Sequence, residues 1–405
     1  MNSARNEAAR QNVCRVSCAL LLVLLVTVFG SSTVVGQGRP AVRGVTDTEI
    51  KVGTTVPLTG AAANYGPVYL GSARAFLNYA NDQGGVNGRK INLTYKDSGY
   101  DPAKGLAVTR QMVEEDKIFA MVAVPATIVN DAIYRYLNAN KVPNTGVISG
   151  GVQFNQPKEY PYIFQYQLSY GLEPEFTWRI VSEKFPGKKI GVLYENDDFG
   201  KGLLKVFAEK AGKAIVAQQP YETVDTDINS QMQALKSAGS EVVVEFVLVK
   251  YVVLAARFVH SSGWNVPQII SANAMDPALW TGLGPEEKNG LMGVTSFPLM
   301  TDTSNTQLEF FKQTMKKYSP EVPLGGSAMQ GFGAAQFFVE MLKKAGRDVT
   351  PEGLIKAAET IKDFKDILLA GPASVSSTNH SPITCVRLTE LKGAEQVYAG
   401  PVWCK

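Results

Sequence analysis

With 405 residues, 45% of them hydrophobic and 19% charged, the chain is longer than one core comfortably serves, so two domains are the default. Its 40 Lys and Arg against 37 Asp and Glu leave a net charge of +3 without a basic patch or acidic tail, which argues against nucleic acid or a membrane surface as partner. Only two histidines occur, His260 and His380, so a zinc site or a Ser-His-Asp triad has few candidates.

Arg5, Arg10 and Arg15 precede an apolar run over 19–29, and small and polar residues follow it. That order is expected of a secretory signal peptide over 1–36, with cleavage near Gly36. The run has 11 residues, whereas a bilayer span needs about 20. Cys14 and Cys18 lie before the apolar run, so a lipid-attached product is not expected. Removing the leader takes away three Arg and one Glu and leaves 37 basic and 36 acidic residues.

Beyond the leader, short β-branched runs alternate with longer amphipathic stretches. Strands are predicted over 50–56, 90–96, 118–124 and 142–148, with helices over 67–82, 103–115 and 130–138 between them. A second cycle follows 162–167. It has helices over 173–184, 200–212, 228–238 and 252–260, and strands over 189–194, 215–221, 241–249 and 268–271. The last third reads as helices over 307–317, 328–344 and 351–360. Strands alternating with helices imply parallel βαβ units, so the expected fold is α/β with two doubly wound lobes.

Cys385 and Cys404 survive processing. In an oxidising compartment they read as one disulfide closing a short loop, or as two buried thiols. No Gly-x-Ser-x-Gly elbow or phosphate-binding loop occurs. The glycines over 84–88 follow a helix and precede a strand, the wrong end for a phosphate cradle. Asp197-Asp198 and Glu114-Glu115-Asp116 are acid clusters of the kind usually solvated on a surface. These absences disfavour an enzyme, and no cofactor or metal is expected.

The carboxyl ends of the first-lobe strands carry small and hydroxylated residues, over 57–66, 123–127 and 146–151. Such loops are where an open α/β sheet binds ligands, and exposed amides beside Ser or Thr receive a carboxylate. Ordinary turn chemistry is the competing reading of each loop taken singly.

Ile50-Lys-Val-Gly53 with Pro57-Leu-Thr-Gly60, the stretch from Asn81 to Ile91, that from Asp97 to Pro102, and that from Gly191 to Gly200 carry a resemblance. From about residue 45 to the C-terminus the chain resembles the branched-chain amino-acid-type solute-binding proteins of ABC importers. The resemblance implies a type I periplasmic-binding fold, with two Rossmann-like lobes joined by three crossovers and closing on a solute. Lobe one is expected over 45–167 and 297–373, and lobe two over 168–296 and 374–405. It implies a monomeric receptor in the periplasm that passes a small solute to an ABC permease and its ATPase. Tyr65, Ala126, Thr127, Val147 and Ser149 of lobe one, with Phe199, Lys250 and Asn273 of lobe two, are the implied ligand-binding residues. Tyr166 is expected near them.

Asn273 stands where the amino-acid binders carry an acid for the ligand ammonium, with Asp276 three residues on as the fallback. A buried ammonium without a counter-charge is expensive. The expected cargo is therefore a small carboxylate: an amino acid, or an aromatic, oxo or hydroxy acid. A ligand-sensing regulator of the same fold and a secreted α/β enzyme are the alternatives.

Overall fold

The structure, a computed structural model, describes residues 41–405, so the leader expected over 1–36, Cys14 and Cys18 included, lies outside the described residues. Both sheets below belong to one unit of the chain, Val42–Lys405.

The first sheet contains β1 (Glu49–Val56), β2 (Lys90–Asp97), β3 (Ala120–Met121), β4 (Val124–Pro125), β5 (Asn144–Ile148) and β6 (Ile163–Gln165). Their order is β2-β1-β3-β5-β4, β6 pairs with β5, and all pairings are parallel. α1 (Gly66–Asp82), α2 (Pro102–Glu114) and α3 (Thr127–Ala139) connect successive strands. β5 is buried along its whole length, as a parallel strand covered on both faces must be.

In the second sheet lie β7 (Ile190–Glu195), β8 (Ile215–Tyr221), β9 (Val242–Phe246), β10 (Gln268–Ile270), β11 (Met292–Thr295), β12 (Cys385–Lys392) and β13 (Glu395–Cys404). The order is β13-β12-β11-β10-β9-β7-β8, parallel up to β11 and antiparallel at β12 and β13. α4 (Glu173–Lys184), α5 (Asp198–Ala211), α6 (Asn229–Ser237), α7 (Val249–Ser261) and the short α8 (Pro285–Lys288) go with it.

α9 (Thr306–Tyr318), α10 (Gly326–Ala345) and α11 (Pro351–Ala358) return to the first sheet. Phe332 of α10 meets Phe76 of α1 edge-on at 4.9 Å, and Ser319 Oγ, just past α9, donates to the Gly71 carbonyl at 2.8 Å. The chain therefore passes between the sheets after β6, after β11 and before β12.

Two expectations are corrected here. The single strand predicted over 118–124 is two short strands, because Ala123 takes φ 52° and bends the backbone out of the extended region. The hairpin of β12 and β13 was not predicted; its alternating residues around Lys392-Gly393 were the available signal. It brings Cys385 and Cys404 opposite one another, where a disulfide joins them across a Cα separation of 4.0 Å. The segment around His380, assigned by sequence to lobe two, lies against the first sheet: its ring stacks on Phe164 at 3.7 Å and its carbonyl accepts from Gln165 N at 3.0 Å.

Candidate functional site

The loop after β1 is held by Asp97, at the end of β2. Its Oδ1 accepts from Leu58 N at 2.8 Å and Gly99 N at 2.8 Å, and its Oδ2 from Thr59 Oγ1 at 2.7 Å. Burial pushes this carboxyl up, but donors from Lys104, Thr59, Gly99 and Leu58 outweigh it and hold the group well below its ordinary value. The loop then folds back tightly: a Cβ on Gly66 would sit 2.1 Å from the Pro57 carbonyl oxygen. This places Tyr65 at the start of α1 and Tyr69 one turn on, their rings stacked 5.9 Å apart.

At the next loop Ala126 takes φ 79°, ψ 119° immediately before α3. A non-glycine residue rarely adopts this geometry, and here it turns the chain into the helix with Thr127 at its first position. The first N–H groups of a helix have no partner within it, so α3 ends in free donors at this edge. Thr127 Oγ1 lies 2.9 Å from Ser149 Oγ and 3.0 Å from Tyr170 OH. These contacts link the ends of two parallel strands to the chain beyond β6.

A cleft with about 40 Å³ of water-accessible space opens between these loops and the second sheet. Tyr65, Tyr69, Tyr100, Ala126, Thr127, Gln167 and Tyr170 are among its first-sheet walls, and Phe199, Leu248 and Asn273 close it from the second. None of the side chains lining it is ionisable as an acid, a histidine, a lysine or an arginine.

Bonds cross the cavity mouth. Tyr65 OH accepts from Val249 N at 3.1 Å and donates to the Asn273 carbonyl at 3.4 Å. Tyr100 OH donates to Glu195 Oε1 at 2.9 Å, and Tyr221 OH to Oε2 at 2.7 Å. Burial first, and Asp197 nearby second, push the Glu195 carboxyl well up. Asp197 is half-buried rather than fully solvated, and caps α5 by accepting from Phe199 N at 2.9 Å.

Of the residues expected at the site, Tyr65, Ala126, Thr127, Phe199 and Asn273 line this one cavity. Ser149 reaches it through Thr127. Val147 does not: it is fully buried in β5, paired with Val124 and Gln165. Lys250 does not either. Strand β9 ends at Phe246 and α7 begins at Val249, so Leu248 faces the cavity while Lys250 reaches the Asp225 carbonyl and lies 4.9 Å from the Tyr251 ring centroid. Tyr166 is core, packed 6.0 Å from Phe337.

Nor is Asp276 available as an acid for a ligand. Its Oδ2 accepts from Ser327 N at 2.8 Å at the start of α10. The loop that carries Asn273 is backed by Glu173, whose Oε1 accepts from Ala272 N at 2.8 Å. Burial pushes the Glu173 carboxyl up to about 7.

Sequence reasoning missed Tyr69, Tyr100, Gln167, Tyr170 and Leu248. Tyr69 follows Tyr65 by four residues on a helix, a signal that was present. Tyr100 owes its place to a positive φ of 58°, which nothing in its neighbours announced. Among the described residues, no group of three or more His, Cys, Asp or Glu side chains could hold a metal ion, and no helix is long and apolar enough to cross a membrane.

Comparison with known proteins places the chain among recognised relatives. A family model described as periplasmic binding protein matches residues 49–396. The Leu/Ile/Val-binding protein homolog 3 of Brucella melitensis is 24% identical over 335 residues, covering 82% of this chain and 88% of the relative. A fatty acid ABC transporter substrate-binding protein from Thermomonospora curvata superposes with a TM-score of 0.78 at 22% identity, over 90% of this chain and 94% of that one. A branched-chain amino acid ABC transporter protein from Thermus thermophilus with bound valine gives 0.81 at 18% identity, over 89% and 98%.

Proposed function

The chain belongs to the periplasmic binding protein family, and from that premise we propose that it is the solute-capturing component of an ABC importer, selective for small carboxylates that lack an α-ammonium group. The observation that carries this reading is the wall of the cavity. It holds hydroxyls and a helix N-terminus suited to an anion, and no side-chain acid suited to an ammonium. The relatives' names fit either choice, since both a fatty acid and valine carry a carboxylate, and only valine carries an amine.

In this reading the solute carboxylate loses its water to the amides that open α3 and to the Thr127, Ser149 and Tyr170 hydroxyls. Those three hydroxyls share two contacts, so two of their protons bond within the group and one is left for a ligand. Phe199 and Leu248 then cover the apolar part of the solute as the second lobe closes. Asn273, with an amide in place of an acid, leaves an ammonium without a counter-charge there. Export to the periplasm, with a permease and its ATPase as partners, belongs to the same reading.

A thermal-shift screen of the mature protein tests it, because any ligand of the native state raises the melting temperature. Isovalerate and 2-oxoisovalerate are expected to raise it by several degrees and valine to leave it unmoved. Asn273→Asp is expected to bring valine into the active set. A wild-type response to valine that exceeds the response to both amine-free acids would sink the reading.

A further inference from the structure

Most polar side chains that line the cavity are engaged within the protein; on the second-sheet wall Asn273 Oδ1 has no partner, and on the first-sheet wall one side chain stands apart. Tyr65 bonds across to Val249 and Asn273, Tyr69 OH lies 3.4 Å from Gln330 Oε1, and Tyr100 bonds Glu195. Thr127 and Tyr170 bond one another. Gln167 differs. It is 6% exposed, it lines the cavity, and its carboxamide has no hydrogen-bond partner among the described residues. The contrast with Gln165, two positions earlier at the end of β6, is direct: that side chain gives its Nε2 to the Ser149 carbonyl at 3.1 Å and the Gly151 carbonyl at 2.7 Å. Gln165 is spent on holding the loop, and Gln167 is not.

The backbone fixes where Gln167 stands. Tyr166 N donates to the Val147 carbonyl at 2.8 Å and Tyr170 N to the Gly150 carbonyl at 2.7 Å, so the segment beyond β6 runs alongside the end of β5. Gly150 permits this approach, since a Cβ there would lie 2.2 Å from the Leu168 carbonyl oxygen. Gln167 is thereby set level with Ser149, beside the hydroxyl group that receives the carboxylate in the reading above.

We propose that Gln167 is a specificity-determining residue of this site, pairing its carboxamide with a hydroxyl or oxo oxygen on the carbon next to the solute carboxylate. The inference rests on the carboxylate reading and narrows it to 2-oxo and 2-hydroxy acids. A carboxamide offers both a donor and an acceptor, which matches a neutral oxygen substituent. With no ionisable acid or base on the cavity wall, a charged substituent in the same place would be left uncompensated. A solute without the oxygen leaves a nearly buried amide unpaired, which is the strongest form of rejection a polar site has.

Calorimetric titration of two acid pairs, 2-oxoisovalerate with isovalerate and mandelate with phenylacetate, tests the proposal. The wild type is expected to bind the oxygenated member of at least one pair tenfold or more tightly. Gln167→Leu is expected to bring that ratio below threefold while holding the hydrocarbon member as well or better. Gln167→Asn, which keeps a shorter amide, is expected to fall between them; ligand-free melting curves identify a variant that has not folded. A ratio that neither folded variant changes, or a wild type that prefers the hydrocarbon members, overturns the proposal and leaves the carboxylate reading standing. If the wild type binds none of the four acids, the carboxylate reading falls and this inference with it.

Discussion

Glu173 shows how one buried side chain couples the site to pH. It is fully buried behind the Asn273 loop, one oxygen accepts from Ala272 N, and the other has no partner. Burial raises its pKa from 4.5 to about 7. Below pH 4.5 the folded and unfolded chains both hold the proton, and the group costs nothing. Between 4.5 and 7 the unfolded chain ionises first, so stability falls as pH rises, and above 7 the penalty levels at about 3 kcal/mol. Glu173→Gln keeps the acceptor for Ala272 and removes the titration. Its melting temperature is expected to match the wild type near pH 4.5 and exceed it at pH 8. Parallel curves across that range would show that Glu173 does not titrate there.

At the scale of elements, the hairpin of β12 and β13 closes the second sheet's antiparallel edge, and the disulfide ties its two ends. The bridge spans 19 positions in sequence, a loop length for which restricting the unfolded chain contributes about 3 kcal/mol. The paired Cys385→Ser, Cys404→Ser variant is expected to lose stability of that order in urea denaturation, with ligand affinity held within twofold because neither cysteine lines the cavity. Unchanged stability would mean that the hairpin's own pairing already restrains the chain. The helices reached their places with less help: α4 begins and ends where the periodicity put it, and α1, α9 and α10 do so within two residues at each end. Strands broken by local backbone geometry, such as β3 and β4, were not legible, because a positive φ at alanine has no sequence signature.

Across the whole molecule, the bonds from Tyr65 and Tyr100 join the lobes around the cavity. Opening would return their partners to water, whereas removing a hydroxyl in the closed form leaves Val249 N buried and unpaired, at about 1–3 kcal/mol. Tyr65→Phe therefore penalises closure selectively. Its affinity for a solute that binds the wild type is expected to fall about tenfold, with a larger ligand-free radius of gyration by small-angle scattering. Affinity equal to the wild type would remove Tyr65 from the closing mechanism. Asp131 of α3 adds an opposing term: it faces Asp197 and Asp198 across the cleft, a like-charge approach that burial makes worse.

The amino-acid order determined the α/β alternation and the loops at the carboxyl ends of the strands, because hydrophobic period and turn chemistry are local. It also singled out Tyr65, Ala126, Thr127, Phe199 and Asn273, which the fold brings to one cavity, because each sits in a recognisable stretch of the family pattern. Only the tertiary structure decided which side chains remain free there. Tyr65 is committed to a bond across the lobes, Asp276 caps a helix that begins some 50 residues later in the chain, and Lys250 turns away on the first turn of α7. Gln167 is left unpaired by contacts between segments 14 or more residues apart in sequence, and Gln165 beside it is not. A hydrogen-bonding group's availability depends on its partners, and those partners come together only when the chain folds.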